Sequence, residues 1–543
     1  MVNDEKGRVS DVEASDACSM SSTLDNDDKL LQGMGYKNSF TREFTNLATI
    51  SFAFSIMGLC SSVATTFNTP LLIGGPSSVT WCWILGSAMS LTLGTSIAEI
   101  VSAYPTCGGM YTASAYLCPK KYRAIVGWIV GWLNLFGQIV GLSSSEFGLA
   151  NMIWAAVVVG KNNDYVLTTG KIVGLTTALL IVHGLLNCLG TRWLARFTSS
   201  FVFINIGATI VIIITLLVKT PRSEMHSASY VFGSEGFVNQ TGGWNGGLAF
   251  LFGLLSVQWT MTGYDATAHI SEEVKRAAYS APAAIFIAVI GTGIIGWLLN
   301  IVLILCSGPL ENLPGTSNSA FLEILVLRIG KPGALVLWTP VCLTAFFVCQ
   351  TGLQAGSRCI YAFARDRMLP FPFSHSSLDL AKINKHTKTP IRAIWFVALG
   401  SVLPGLLVFA SEEAVNAIFA MTAMAYDLSY IVPIILRRLF EHHPEVEFTP
   451  GPFYMGPGWL GWAVNVTCVL WTLFVCVIFS IPNYLPVDKD TMNYASVCTF
   501  GVVILSLVWY FLGGNRYYHG PLSDLDAQPQ VTGGGKQLVQ DEK

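Results

Sequence analysis

The sequence predicts an all-α polytopic membrane protein with about twelve transmembrane helices. Three observations predict it. Charged residues make up only 12% of the 543 positions and apolar ones 52%; a soluble protein carries roughly 25% charge, so this chain cannot cover a water-facing surface. The charges also cluster: Asp4, Glu5, Asp11, Glu13, Asp16, Asp25, Asp27 and Asp28 crowd the N-terminus, and long stretches beyond hold none. Finally, apolar runs recur at roughly the 20-residue length that a bilayer crossing demands.

Taken in order, residues 1–42 are polar, acidic and Ser-rich, with no apolar stretch of a signal peptide, and read as a disordered cytoplasmic tail. A membrane domain follows over 43–513. Its apolar runs lie near 46–68, 79–102, 124–157, 168–188, 197–218, 247–270, 283–306, 335–362, 391–410, 413–436, 459–480 and 493–513. The third is long enough to tilt strongly or carry an extra turn, and 318–330 reads as a short helix outside the membrane. Residues 514–543 form a second cytoplasmic tail. The first ten spans divide into two blocks of five, about 46–218 and 247–436, with two extra helices over 459–513.

Basic residues set the orientation. With the N-terminus inside, the inner loops hold Lys120, Lys121, Arg123, Arg192, Arg196, Lys275, Arg276, Arg365 and Arg437 among others, about twice the number in the outer loops. Asn239-Gln240-Thr241 is an N-glycosylation sequon, and this orientation places it outside. The net charge of −2 comes with no basic cluster interleaved with aromatics, which argues against a nucleic-acid partner. The thirteen cysteines sit mostly inside apolar runs, as Cys60, Cys82 and Cys349 do, without metal-type spacing, and read as small buried apolar residues. Neither metal nor organic cofactor is expected. No nucleophile with its base, metalloprotease motif or phosphate loop is present, which excludes an enzyme; no repeated filter argues for a channel, and no nucleotide-binding domain allows a primary pump.

Two spans look breakable. The first reads Gly58-Leu59-Cys60-Ser61-Ser62 in mid-span, and the sixth reads Trp259-Thr260-Met261-Thr262-Gly263-Tyr264-Asp265. Glycine and small hydroxyl residues are poor helix material, and an open backbone inside a bilayer survives only where it lines a cavity. Spans one and six head the two five-helix blocks, and matched interruptions point to an inverted-repeat transporter site. Freed N–H groups suit a carboxylate, and freed carbonyls and hydroxyls suit an amine or cation. The alternative is that these small residues serve close helix packing.

At these residues the chain resembles the amino acid–polyamine–organocation superfamily, and within it the fungal amino acid/choline branch of GABA, choline and polyamine permeases. Three stretches carry the resemblance: Ala98-Glu99-Ile100-Val101-Ser102-Ala103-Tyr104-Pro105 with Gly108-Gly109-Met110-Tyr111; Gly263-Tyr264-Asp265 with His269, Glu272 and Glu273; and Ser357-Arg358-Cys359-Ile360-Tyr361-Ala362-Phe363-Ala364-Arg365-Asp366 with Leu369-Pro370. It implies a ten-helix inverted-repeat core plus two helices, a substrate carboxylate at Gly58 to Ser62, Trp259 as an aromatic cover, and Thr260, Met261 and Thr262 in the same cavity. Many members carry a second glycine in span one; this chain lacks it, which leaves room for a γ-amino acid or a choline-like amine. Some proton-coupled members carry a lysine in span five; this chain has none there. The expected activity is secondary transport of an amino acid or GABA-like zwitterion, coupled to H+ or Na+, in the plasma membrane of a fungal cell or an endomembrane. Choline or polyamine transport, or nutrient sensing on the same scaffold, is the alternative.

Ionisable residues inside spans are costly, so each is a candidate for coupling or gating. Glu99 reads first as a structural partner of a neighbouring loop. Glu146, after Ser143-Ser144-Ser145, is either a proton carrier or a packing contact. Asp265 and His269, four apart, share a helix face and form a proton relay, an inner gate or a static pair. Asp427 is a further candidate, and His183 reads as a core histidine. Glu272 and Glu273 are expected to hold an inner gate, with Arg358 and Arg365 placed as partners.

Overall fold

The computed structural model describes residues 27–162, 165–370, 372–374, 378–409, 414–489 and 491–521. Among these, eleven helices are long and apolar enough to cross a membrane: Asn46–Ile73, Gly75–Ala103, Lys120–Gly160, Thr169–Asn187, Thr191–Lys219, Ala277–Leu305, Ala320–Arg365, Ile391–Phe409, Asn416–Leu439, Trp459–Ile478 and Ala495–Leu512. The remaining crossing is the sixth, in pieces: Gly246–Leu251, Leu254–Thr260 and Ala266–His269. Its interruption leaves no continuous helix of spanning length, so it is recognised by the apolar run rather than by the helix. We number the twelve as spans one to twelve in chain order.

One boundary differs from expectation and one agrees. The expected short helix near 318–330 is present: within Ala320–Arg365 the backbone breaks at Gly330, whose φ of 72° and ψ of 164° are not helical, and span eight follows the break. Residues 27–42, expected in a disordered tail, are packed instead. Residues 27–33 are helical, and Tyr36, Phe40 and Phe44 are buried. An aromatic every fourth residue gives this otherwise polar segment enough apolar area to dock. At the other end Tyr518 is buried against Trp128, ring centroids 5.5 Å apart. Residues 1–26 and 522–543 of the expected tails lie outside the described residues.

Spans two and seven pack along their length, and seven also packs on one; three packs on eight and ten, and five on eight and one. Small residues permit the closest approaches: a Cβ on Gly296 of span seven would lie 2.3 Å from the Trp83 ring of span two. Outward, spans four, five and twelve present Leu185, Ile214, Leu505 and Leu512 bare, an apolar exterior suited to lipid and not to water.

Candidate functional site

The helix Asn46–Met57 stops at Gly58, whose φ of 56° and ψ of 45° are left-handed and cost glycine little. The half-helix Leu59–Thr66 begins at once, with no side-chain cap. The first amides of a helix lack intrahelical acceptors, so the N–H groups of Leu59, Cys60 and Ser61 form a positive end available to an anion. Two serines stitch the break from its other side: Ser61 Oγ donates to the Gly58 carbonyl at 2.8 Å, and Ser62 Oγ to the Met57 carbonyl at 2.6 Å.

Span six is broken as well. Leu254–Thr260 ends at Met261, and the chain turns through Gly263 at φ 77° before Ala266–His269. Thr262 Oγ1 donates to the Trp259 carbonyl at 2.9 Å. Trp259 Nε1 donates to Ser144 Oγ of span three at 3.1 Å, and its ring meets Phe419 of span ten edge-on at 5.0 Å.

A cavity of about 30 Å³ lies between the two breaks. Span one contributes Ile56 and Ser62, and span six contributes Trp259, Thr262 and Gly263. Span three adds Gly141, Leu142 and Ser145, span eight Val348 and Gly352, and span ten Thr422 and Tyr426. The volume is about that of one water, so the walls must part before anything larger fits. Among the described residues, no acidic or basic side chain lines it.

Of the ten residues placed at the site from sequence, Ser62, Trp259, Thr262 and Gly263 line the cavity, and Gly58 makes the break. The side chains of Leu59, Cys60, Ser61, Thr260 and Met261 do not line it. Cys60 Sγ turns to Thr344 Oγ1 at 3.3 Å, and Thr260 Oγ1 donates to the Ser256 carbonyl at 2.8 Å. Only one face of each half-helix meets the cavity, and a run of consecutive residues covers all faces. Sequence reading missed the walls from spans three, eight and ten. Ser145 and Tyr426 stood beside singled-out acids, whereas Gly141, Leu142, Val348 and Gly352 carry no local signal.

The acids fall into two groups. Near the end that basic residues assign to the cytoplasm, each is held. Asp265 accepts from Asn134 Nδ2 at 2.5 Å and Tyr430 OH at 2.6 Å. His269 Nδ1 lies 2.7 Å from the Cys107 carbonyl, which only accepts, so that nitrogen carries hydrogen. Its Nε2 faces Asp265 Oδ2 at 3.1 Å and Asn134 Oδ1 at 3.2 Å. Glu99 meets Arg437 at 2.5 Å and accepts from the Met455 amide at 3.0 Å. Glu273 pairs with Arg358 at 2.6 Å and Glu272 with Arg365 at 3.1 Å.

The N-terminal segment crosses this layer. Phe44 N–H donates to the Glu273 carbonyl at 3.0 Å, and Lys275 N–H to the Phe44 carbonyl at 2.9 Å. Tyr36 OH and Tyr111 OH donate to Asp366 Oδ2 at 3.1 and 2.6 Å. Burial pushes the Asp366 carboxyl up to about 6, against the opposing pull of the Arg365 guanidinium and the two phenols.

Deeper in the bundle the acids are poorly held. Glu146 Oε1 lies 2.7 Å from His183 Nδ1 of span four, within ion-pair reach but off hydrogen-bond geometry. Asp427 is buried, and neither carboxylate oxygen has a hydrogen-bond partner among the described residues. Asn239, of the sequon, is exposed; its Oδ1 accepts from Thr241 Oγ1 at 2.6 Å and its Nδ2 donates to the Trp244 carbonyl at 2.7 Å.

The family model described as amino acid permease matches residues 47–504. An uncharacterized amino-acid permease of Schizosaccharomyces pombe is 40% identical over 93% of this chain and 91% of its own length. Amino-acid permease 2 of Neurospora crassa is 36% identical over 95% of this chain and 93% of its own. The GABA-specific permease of Saccharomyces cerevisiae is 30% identical over 95% and 89%.

Proposed function

We propose that this chain, which belongs to the amino acid permease family, carries an amino acid or GABA-like zwitterion by alternating access, coupled to an ion gradient. Its family is one of membrane transporters rather than enzymes. The observation that carries the reading is the cavity walled by both helix breaks. The amides of Leu59 to Ser61 supply a positive end for a carboxylate, and the C-terminal end of Leu254–Thr260 supplies carbonyls for an ammonium. Ser62, Thr262 and Thr422 offer hydroxyls, and Trp259 caps the space. A choline or polyamine substrate is the weaker reading, because among the described residues no acidic side chain lines the cavity to balance an unaccompanied cation.

In this reading the held acids form the inner gate. Glu272 and Glu273, at the end of span six, clamp Arg365 and Arg358 of span eight, and Asp265 and His269 tie span six to spans three and ten. Glu99 with Arg437 is a structural clamp. Inward opening parts these contacts while the cavity widens.

The test is uptake of radiolabelled GABA by cells lacking their own permeases, at two external pH values, with amino acids, choline and putrescine as competitors. Saturable uptake blocked by amino acids supports the reading. Block mainly by choline or putrescine moves the substrate to organic cations, and absence of any flux with the protein at the surface favours a sensor. The proposed orientation puts the N-terminus inside, in the plasma membrane or an endomembrane. If Asn239 is outside and glycosylated, glycosidase sharpens the wild-type band and leaves Asn239→Gln unchanged; identical bands remove the sequon as support.

A further inference from the structure

Asp427 lies in a buried polar cluster, apart from the residues that line the substrate cavity. Its neighbour Tyr426 lines that cavity, while Asp427, one residue on, points to another side of span ten. There it faces spans two, six and eleven. The Gln258 amide of span six stands near it without closing a hydrogen bond, and Gln258 Oε1 accepts from Ser90 Oγ of span two at 3.2 Å. Tyr264, one residue past the Gly263 turn, faces it with an unpartnered OH. Span eleven brings Cys468 and Cys476, and Thr472 lies between them on the same helix face, its Oγ1 buried and unpartnered. Tyr430, a turn further along span ten, is the remaining titratable neighbour, and its OH is committed to Asp265. No lysine, arginine or histidine pairs with Asp427 among the described residues.

A bare carboxylate at this depth is not tolerated in ionised form. It is neutral, or it holds a cation. The helix Ala414–Leu439 runs through Asp427, with the Ser429 carbonyl the one that Pro433 leaves without its helical donor, and the surrounding side chains are a phenol, a hydroxyl, an amide and two thiols. That set suits an O–H and a bridging water better than a metal ion. The cluster also joins span ten to span six, whose break walls the substrate cavity. By contrast Glu146 faces His183 within the neighbouring spans three and four.

We propose that Asp427 is the proton-binding site that couples transport to a pH gradient, a proposal that rests on the transport reading above. In each cycle one proton forms an O–H on the Asp427 carboxylate while the pocket faces the acidic side. When span six shifts and water reaches the pocket from the other side, that O–H breaks and the proton passes to water. Tyr264, on the moving break, is the positioning residue that ties protonation to the cavity.

The experiment uses full-length protein in liposomes holding a pH-sensitive dye, with radiolabelled GABA or the best-transported amino acid of a panel as the probe. Wild type is expected to move protons with substrate and to accumulate it when the outside is acid. Asp427→Asn, fixed in a neutral form, is expected to lose proton movement and accumulation and be left with pH-independent exchange; Asp427→Glu restores pH-driven uptake. Proton movement retained in Asp427→Asn, or loss of all flux in both variants at normal folded yield, overturns the proposal. So does wild-type uptake that follows sodium and moves no protons, and the transport reading survives each of these. Wild type that carries no panel member sinks the transport reading, and this proposal with it.

Discussion

The two ends of the polar interior are built on opposite principles. In the layer assigned to the cytoplasm, Glu99, Asp265, Glu272, Glu273 and Asp366 all have strong partners. At the cavity, the space is small and walled by glycine, hydroxyl, aromatic and aliphatic residues, with no acid or base among the described ones, and the buried oxygens of Asp427 close no hydrogen bond among the described residues. A buried charge pair is costly to assemble and more costly to half-break, which suits a latch with two discrete states. A weakly partnered site gives up little when a ligand, a proton or water enters, which suits a place where occupants change.

The sharpest way to break this comparison is to fill the cavity breaks. Gly58→Leu places a Cβ 2.2 Å from Val348 Cγ2 at a φ of 56°, adding overlap to roughly 1–3 kcal/mol of backbone strain. Gly263→Leu meets Ile56 at 3.2 Å with φ 77°. Both should abolish uptake while surface biotinylation still finds the protein; normal uptake in either would falsify the site assignment.

Next comes the latch. Arg358→Gln leaves Glu273 buried without its cation, a loss of about 3–5 kcal/mol for a broken buried pair. It should lower the melting temperature in detergent and raise inward-side cysteine labelling, and adding Glu273→Gln should recover much of the loss. A double variant no better than the single one would show that the pair is not a unit.

Trp259→Ala removes the cavity cover and its edge-on contact with Phe419, worth about 0.5–1.5 kcal/mol beyond area. A rise of roughly tenfold in KM is expected, since about 1.4 kcal/mol is tenfold in affinity, with little change in melting temperature. An unaltered KM would take Trp259 out of the site.

The smallest effect is a pH dependence of the latch. The carboxyl of Asp366 is raised by burial from its usual 3.8 to about 6, so the latched form favours the neutral acid. Its contribution is fully present below about pH 3.8, and fades as pH rises through about 6. Protease protection of the N-terminal segment should therefore weaken between pH 5 and 7 in wild type and stay flat in Asp366→Asn. Protection that instead strengthens over that window would reverse the sign and remove Asp366 as the cause.

The sequence by itself determined the membrane class, the number of crossings and the two breaks. Length, apolarity and mid-span glycines act locally, and lipid enforces them on every segment alike. It also marked the acids, because charge in an apolar run is visible without a structure. What only the tertiary structure decided is which faces meet. Cys60 and Thr260 stand in the right runs yet turn from the cavity, while Val348 and Gly352, unremarkable in an apolar helix, form its wall. Nor could spacing show that Tyr36 and Phe44 would dock the supposed tail against Asp366 and Glu273. Asp265 and Asp427 look alike in sequence, a carboxylate after a tyrosine; one is held by spans three and ten, and the carboxylate oxygens of the other have no hydrogen-bond partner among the described residues. Side-chain direction depends on how helices rotate and pack against one another, and that is set by contacts hundreds of residues apart rather than by the local run.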